Sequence, residues 1–259
     1  AGNIGGGGFI VFRPASGEPV SYDFREVGPS RSSPEMWLKD GKYDFDIHHN
    51  SHRSVGVPGT VAGLYLAHQK LGSKPWKDLV LPAVALARDG FEISEGLAAS
   101  LERMIPEFKK YPASLAQFSK NGVPYKAGEI LKQADLAKSL QRIADKGPAG
   151  FYEGETAELI EKEMKANGGL ITRDDLKKYV AKERAPLKGT YRGHEIIGMA
   201  PPSSGGMAVI QMLNVLEGFD LKANGYGSAQ NIHLVTEAMR RAFADRAQHL
   251  GDPDFNSGI

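Results

Sequence analysis

The chain has 259 residues, a formal net charge of +1 and no cysteine. That length suffices for one large domain or two small ones with ample core. The charge balance offers no basic excess for nucleic acid, and the missing thiols exclude disulfides, cysteine-ligated zinc and a cysteine nucleophile.

Gly5 to Gly8 are four consecutive glycines leading into a β-rich run. Glycine tolerates close backbone approach and positive φ, so a crowded turn beside a ligand, or a buried packing site, is expected there. Strands are predicted over Phe9 to Arg13 and Val20 to Arg25, joined as a hairpin by Pro14-Ala15-Ser16-Gly17-Glu18-Pro19. Strand alternation then puts Ser21, Asp23 and Arg25 on one face and Tyr22, Phe24 and Glu26 on the other, with a carboxylate beside a guanidinium. The nucleotide motif Gly-x-Gly-x-x-Gly does not fit, because its third glycine would fall on Ile10 or Val11, and no Gly-Lys-Ser/Thr follows. Both nucleotide motifs also lead into a helix, whereas these glycines precede a hairpin.

From Gly28 to Arg53 the sequence is polar and rich in Ser, Asp and Pro, and an irregular segment is expected. It contains His48-His49-Asn50-Ser51-His52 downstream of Asp44 and Asp46. His48 and His52 would share a face only on a helix, which Asn and Ser disfavour, so a solvated loop is expected rather than a metal site. Helices are predicted over about 61–71, 76–88, 94–110, 132–146 and 155–166, which makes the middle of the chain a helical lobe. Gly63 within the first of these marks a place of close packing. The longest apolar run, residues 79–87, is about half the length of a membrane helix and contains Pro82, so no bilayer span is expected.

Residues 146–152 read as a connector, and Thr172 is predicted to cap a short helix that ends near Tyr179, with Asp174 and Asp175 in its first turn. β character returns over 187–191 and 194–198, expected to rejoin the sheet of the opening hairpin. Pro201-Pro202-Ser203-Ser204-Gly205-Gly206 introduces a helix over 207–216. A serine cap with glycines allowing close packing is the expectation there, an anion on the free helix amides being the alternative. Gly-x-Ser-x-Gly is not matched, so no serine nucleophile is expected. A last helix, about 229–250, carries Glu237, Arg240, Arg241, Asp245 and Arg246 at spacings that favour surface ion pairs. The chain is expected to form a single domain, 1–259, with the helical lobe at roughly 59–180 between β segments 8–26 and 185–199. Its first residues show no basic segment followed by an apolar one, so no signal peptide is expected within this sequence.

Five stretches taken together resemble the γ-glutamyltranspeptidases (γ-glutamyltransferases). They are Gly2-Asn3-Ile4-Gly5-Gly6-Gly7-Gly8-Phe9, Asp23-Phe24-Arg25-Glu26, Val55-Gly56-Val57-Pro58-Gly59-Thr60-Val61-Ala62-Gly63, Pro201 to Gly206, and Glu237-Ala238 through Asp245-Arg246 to Gly251-Asp252-Pro253-Asp254-Phe255. They occur in that family's order and span nearly the whole chain. The resemblance implies an α+β fold of the N-terminal-nucleophile hydrolase type, a four-layer αββα sandwich, of which this chain would be an incomplete large-subunit part. It implies a precursor that cuts itself into two subunits, the freed N-terminal threonine of the small subunit being the nucleophile and its own α-amine taking the hydroxyl proton. The chain would then hold no catalytic residue, and no cofactor or metal is implied. Its partners would be the small subunit from the same precursor, a γ-glutamyl substrate such as glutathione, and water, an amino acid or a peptide as acceptor.

By the same resemblance Arg25 matches the arginine that grips the α-carboxylate of the γ-glutamyl group, a task suited to a planar guanidinium fork. Asp23 is the candidate for orienting it. Glu26 is a third substrate-binding candidate, with a structural ion pair or a contact to the second subunit as alternatives. The sequence departs from the family at Arg25-Glu26-Val27-Gly28-Pro29, where many members have Ala before the proline, which reads as a modest change in the turn. The family's helical segment ahead of the glycine run, the part of the large subunit after Phe255 and the whole small subunit are not in this sequence. A periplasmic or secreted location is implied. The alternative functions are a related amide acylase, acting on cephalosporin side chains or poly-γ-glutamate, and a non-catalytic fragment or binding module.

Overall fold

The computed structural model describes residues 3–256. Gly2, the first residue of the glycine-rich motif, lies outside them. The chain folds as two compact units, one formed by residues 1–26 with 180–259 and the other by residues 27–179.

The first unit opens with strands β1 (Phe9–Phe12) and β2 (Val20–Asp23), antiparallel with Phe9 opposite Asp23 and Phe12 opposite Val20. This is the expected hairpin, with both strands slightly shorter than the sequence pattern suggests. Two further hydrogen bonds, Gly8 N–H to Phe24 O at 3.2 Å and Phe24 N–H to Gly8 O at 3.0 Å, extend the pairing one residue beyond the strand ends.

The second unit begins with a turn of 3-10 helix (Pro34–Trp37), the two-residue strands β3 (Leu38–Lys39) and β4 (Lys42–Tyr43), and helix α1 (Phe45–Asn50). The sequence reading of an irregular loop is corrected here. Asp44 accepts a hydrogen bond from the Ile47 amide and caps a six-residue helix, so a strong cap outweighs the poor helix propensity of Asn50, and Ser51 lies just past the helix end. The helix ends before His52, which starts a separate 3-10 turn. His48 hydrogen-bonds the Tyr43 hydroxyl at 2.8 Å, whereas His52 Nε2 meets Glu163 at 3.0 Å, so the histidines point to different partners.

Helices α2 (Thr60–Leu71), α3 (Trp76–Asp89), α4 (Glu95–Phe108), α5 (Pro112–Phe118), α6 (Ala134–Lys146), α7 (Ala149–Tyr152), α8 (Gly154–Ala166) and α9 (Arg173–Lys178) complete this unit, with strands β5 (Phe91–Glu92) and β6 (Ile130–Leu131) pairing between them. The expected connector at 146–152 holds one helical turn, α7. The core of the unit is the packing of α3 on α6, whose buried Ala137, Leu140, Ile143 and Ala144 recur at helical spacing. Trp76 fixes the pair by donating its indole N–H to the Ile143 carbonyl at 2.9 Å. A satellite cluster of Ile93, Leu101 and Leu131 lies under Phe91, Phe108 and Phe118. Thr172 and Asp175 form a complete capping box at α9, and Asp175 also accepts the Ser30 amide at 2.9 Å, tying the loop after Pro29 to that helix.

Back in the first unit come strands β7 (Lys182–Arg184), β8 (Leu187–Tyr191) and β9 (His194–Gly198), then helices α10 (Gly205–Glu217) and α11 (Ala229–His249). Strands β8 and β9 occupy the expected residues but pair only with each other among the described residues. The strand that rejoins the opening hairpin is β7, giving the order β1-β2-β7 with Ser21 opposite Arg184 and Asp23 opposite Lys182. Lys-Glu-Arg shows no apolar alternation, and its place in the sheet comes from polar anchoring instead: the Ser21 hydroxyl donates to the Arg184 carbonyl at 2.8 Å. Helices α10 and α11 pack on each other, and Ala238 and Ala242 of α11 are buried. Strands and helices together make an α+β protein.

Candidate functional site

Arg25 leaves the sheet just past the end of β2. Glycine makes that exit possible, since a Cβ at Gly7 would stand 2.4 Å from the Phe24 carbonyl oxygen and 2.9 Å from the Glu26 nitrogen. The glycine run is therefore a surface on which residues 24–26 lie, and its backbone needs close approach rather than positive φ. Asp23 shapes the exit as well, because its Oδ1 accepts the Arg25 amide at 3.2 Å in the manner of an Asx turn. Its Oδ2 accepts Arg184 Nε at 2.8 Å. Asp23 thus acts on Arg25 through the main chain, and the guanidinium fork it holds is that of Arg184.

The Arg25 guanidinium stands 5.9 Å from the centre of the Phe9 ring, within cation–π range. It lines a cavity of about 400 Å3 together with Phe9, Pro202, Ser203, Ser204, Arg246, Ala247, Leu250 and Gly251. Two of these described lining residues are arginines and none is acidic, so the cavity suits an anionic group of small size. Arg246 Nε donates to Ser204 Oγ at 3.0 Å, and Ser203 Oγ accepts the Gly205 amide at 3.2 Å. Ser204 occupies the cap position of α10 without a side-chain cap bond, its oxygen being turned to Arg246. The glycines there serve close packing, as expected: a Cβ at Gly206 would lie 2.4 Å from the Met199 carbonyl oxygen. Glu26 is exposed, and its Oε1 lies 3.4 Å from where a Cβ at Gly6 would be.

Asp23 is one end of a line of charges. Arg184 bridges Asp23 and Asp254, its Nη2 donating to Asp254 Oδ2 at 2.7 Å, and Lys182 reaches the same oxygen. Hydrogen bonds from Arg184 first and Lys182 second hold the Asp254 carboxyl below the usual carboxylate range against a smaller effect of burial. Burial pulls the Arg184 pKa down, but its bonds to Asp254 and Asp23 outweigh that and raise it. Asp245 and Arg246, expected in surface ion pairs along α11, instead reach outward to Gln211 and Ser204, while Glu237 and Arg240 do pair at 2.7 Å. A wider cleft in the same unit, about 730 Å3, is lined by residues of β8, α10 and α11, apolar Leu187, Ile210 and Val215 mixed with polar groups that include the acidic Asp245. Its lysine, Lys188, is held by Glu18 at 2.5 Å, so it offers a carboxylate less than the Arg25 cavity does. Sequence reasoning did not single out Arg184 or the Arg246–Ser204 pair as site residues, since only chain folding brings them to Asp23 and Arg25.

The gamma-glutamyltranspeptidase family profile matches residues 1–259, the whole chain. The chain belongs to the γ-glutamyltranspeptidase family. It is similar to the glutathione hydrolase proenzyme of Escherichia coli K12, 48% identical over 257 residues, which cover 98% of this chain and 44% of that relative. It thus spans less than half the length of that relative. The crystal structure of Helicobacter pylori γ-glutamyltranspeptidase superposes with a TM-score of 0.97 at 47% identity, covering 99% of this chain and 74% of that one. An acylase ACY 1 proenzyme from Pseudomonas sp. strain V22 is 38% identical over 257 residues, covering 96% of this chain and 46% of the relative.

Proposed function

We propose that this chain supplies the large-subunit part of an enzyme that moves γ-glutamyl groups from glutathione-like amides to water or to an amine acceptor. The observation that carries the reading is Arg25, which sits in the family's Asp-Phe-Arg-Glu stretch and lines an arginine-rich cavity with no acidic lining residue among those described. A guanidinium there meets the α-carboxylate of a γ-glutamyl head group bidentately and fixes the amide at the other end of the glutamyl chain for attack. Asp23 orients Arg25 through its amide, and Glu26 is a further candidate at the rim. The nucleophile is an N-terminal threonine of a small subunit cut from the same precursor, and the αββα sandwich is completed by that subunit. Attack of its hydroxyl on the γ-carbonyl forms an acyl-enzyme and expels the amine; water or an acceptor amine then takes the acyl group. Backbone amides stabilise the oxyanion in both steps. A periplasmic or secreted site of action belongs to the same reading; no helix among the described residues is long and apolar enough to cross a membrane.

The similarity to an acylase proenzyme favours a second reading, an amide acylase for other side chains. The Arg25 cavity supports an α-amino-acid head group over it. In the full-length enzyme, Arg25→Ala is expected to raise KM for γ-glutamyl anilide steeply, with a loss of about 2 to 5 kcal/mol in binding where the substrate carboxylate is left buried and unpaired. A near-normal KM in that variant would refute the assignment, and faster turnover of a cephalosporin side-chain amide than of γ-glutamyl anilide by the unaltered enzyme would favour the acylase.

A further inference from the structure

We infer that Arg184 is a positioning residue for the substrate arginine, acting through Asp23 on the main chain from which Arg25 projects. The inference rests on the reading of Arg25 as the carboxylate grip. Three bonds in series carry it: Asp254 Oδ2 accepts Arg184 Nη2 at 2.7 Å, Asp23 Oδ2 accepts Arg184 Nε at 2.8 Å, and Asp23 Oδ1 accepts the Arg25 amide at 3.2 Å. The two ends of one guanidinium fork therefore hold two carboxylates, and the inner carboxylate defines the turn by which the chain leaves β2. The Asp23 and Arg184 side chains are only 8% and 17% exposed, so water compensates poorly for the loss of either partner. With Arg184 absent, Asp23 is drawn to another donor or to solvent, and the bond to the Arg25 amide loses its fixed acceptor. The Arg184 main chain is itself fixed, since its carbonyl accepts the Ser21 hydroxyl at 2.8 Å and its strand pairs with β2. A lysine in its place has one point charge and no fork, and cannot meet both carboxylates in these directions. Precise placement of a group that binds substrate depends on such outer partners; around metal ligands their removal costs about ten- to a hundredfold in affinity or activity, and a comparable loss is expected here.

The test compares two substrates on the full-length, self-processed enzyme: γ-glutamyl anilide, and 4-aminobutanoyl anilide, the same amide without its α-carboxylate. Arg184→Gln is expected to raise KM for γ-glutamyl anilide about tenfold or more while leaving the carboxylate-free amide little changed, so that the preference between them narrows. Arg184→Lys is expected to restore part of the preference. Arg25→Ala is run beside them and abolishes the preference if the grip is assigned correctly. An Arg184→Gln enzyme that keeps the wild-type preference while Arg25→Ala loses it overturns the role of Arg184 and leaves that of Arg25 standing. An Arg25→Ala enzyme that keeps the preference overturns both. Should Arg184→Gln fail to fold, Asp254→Asn at the more exposed end of the network decides on the same criterion: a narrowed preference supports the inference and an unchanged one overturns it.

Discussion

At Asp175 two opposing effects meet on one carboxyl. Burial raises its pKa, but bonds from the Thr172 hydroxyl and amide and from Ser30 outweigh it and bring the pKa from the usual 3.8 to about 2. The unfolded chain therefore takes up this proton first as pH falls. The resulting stabilisation, about 2 kcal/mol, is complete above the unfolded pKa and is lost as pH drops from about 4 toward 2. Asp175→Asn is expected to be less stable than the wild type by about that amount near neutral pH, with the gap closing in acid; urea melts across a pH series read this directly. A constant gap at every pH would assign the loss to shape rather than charge. The buried Tyr152 hydroxyl, raised in pKa by burial, keeps its proton: it donates to the Pro58 carbonyl at 2.8 Å and accepts the Ala62 amide at 3.3 Å. Arg25 differs from both in being exposed.

Elements in this chain are held by close backbone approach as much as by apolar faces. Gly7 lies against residues 24–26 of the strand exit, and Gly206 at the start of α10 lies against Met199. In both cases the neighbour is main chain and cannot step aside as a flexible side chain can. Gly7→Ala and Gly206→Ala are each expected to cost about 1 to 3 kcal/mol by overpacking, seen as a lower Tm. Gly5→Ala is the control within the same run, because its Cβ would meet only Asn3 Oδ1, at 3.5 Å, in ordinary contact. Equal losses at Gly5 and Gly7 would remove the packing argument. Helix starts were legible in the sequence for a related reason of local chemistry: Ser94 accepts the Leu97 amide at 3.3 Å and Thr172 caps α9, each within four residues of chain. The short helix α1 is not legible from propensity alone, because its start depends on the Asp44 cap.

At the scale of the whole molecule, the chain carries a wall of the candidate site and, on the present reading, none of the reacting groups. The 259 residues purified alone are expected to give no turnover of γ-glutamyl anilide, measured by release of the anilide; turnover by a clean preparation would mean that a nucleophile lies in this chain. The opening hairpin, the helical middle and the family resemblance were legible in the sequence, and the resemblance in turn implied the α+β class and pointed to Arg25. These follow from short-range causes: alternation over a few residues, caps within one helical turn, and motifs read in order. Only the tertiary structure decided which strand joins the hairpin and what Asp23 holds. Arg184 lies 161 residues from Asp23 in sequence and sits in Lys-Glu-Arg, a tripeptide with no apolar period to mark it as a strand. Its partner is selected when β7 pairs with β2 in a register that sets Ser21 opposite Arg184. Pairing of that kind is a property of two distant segments at once, and no window of sequence around either one contains it.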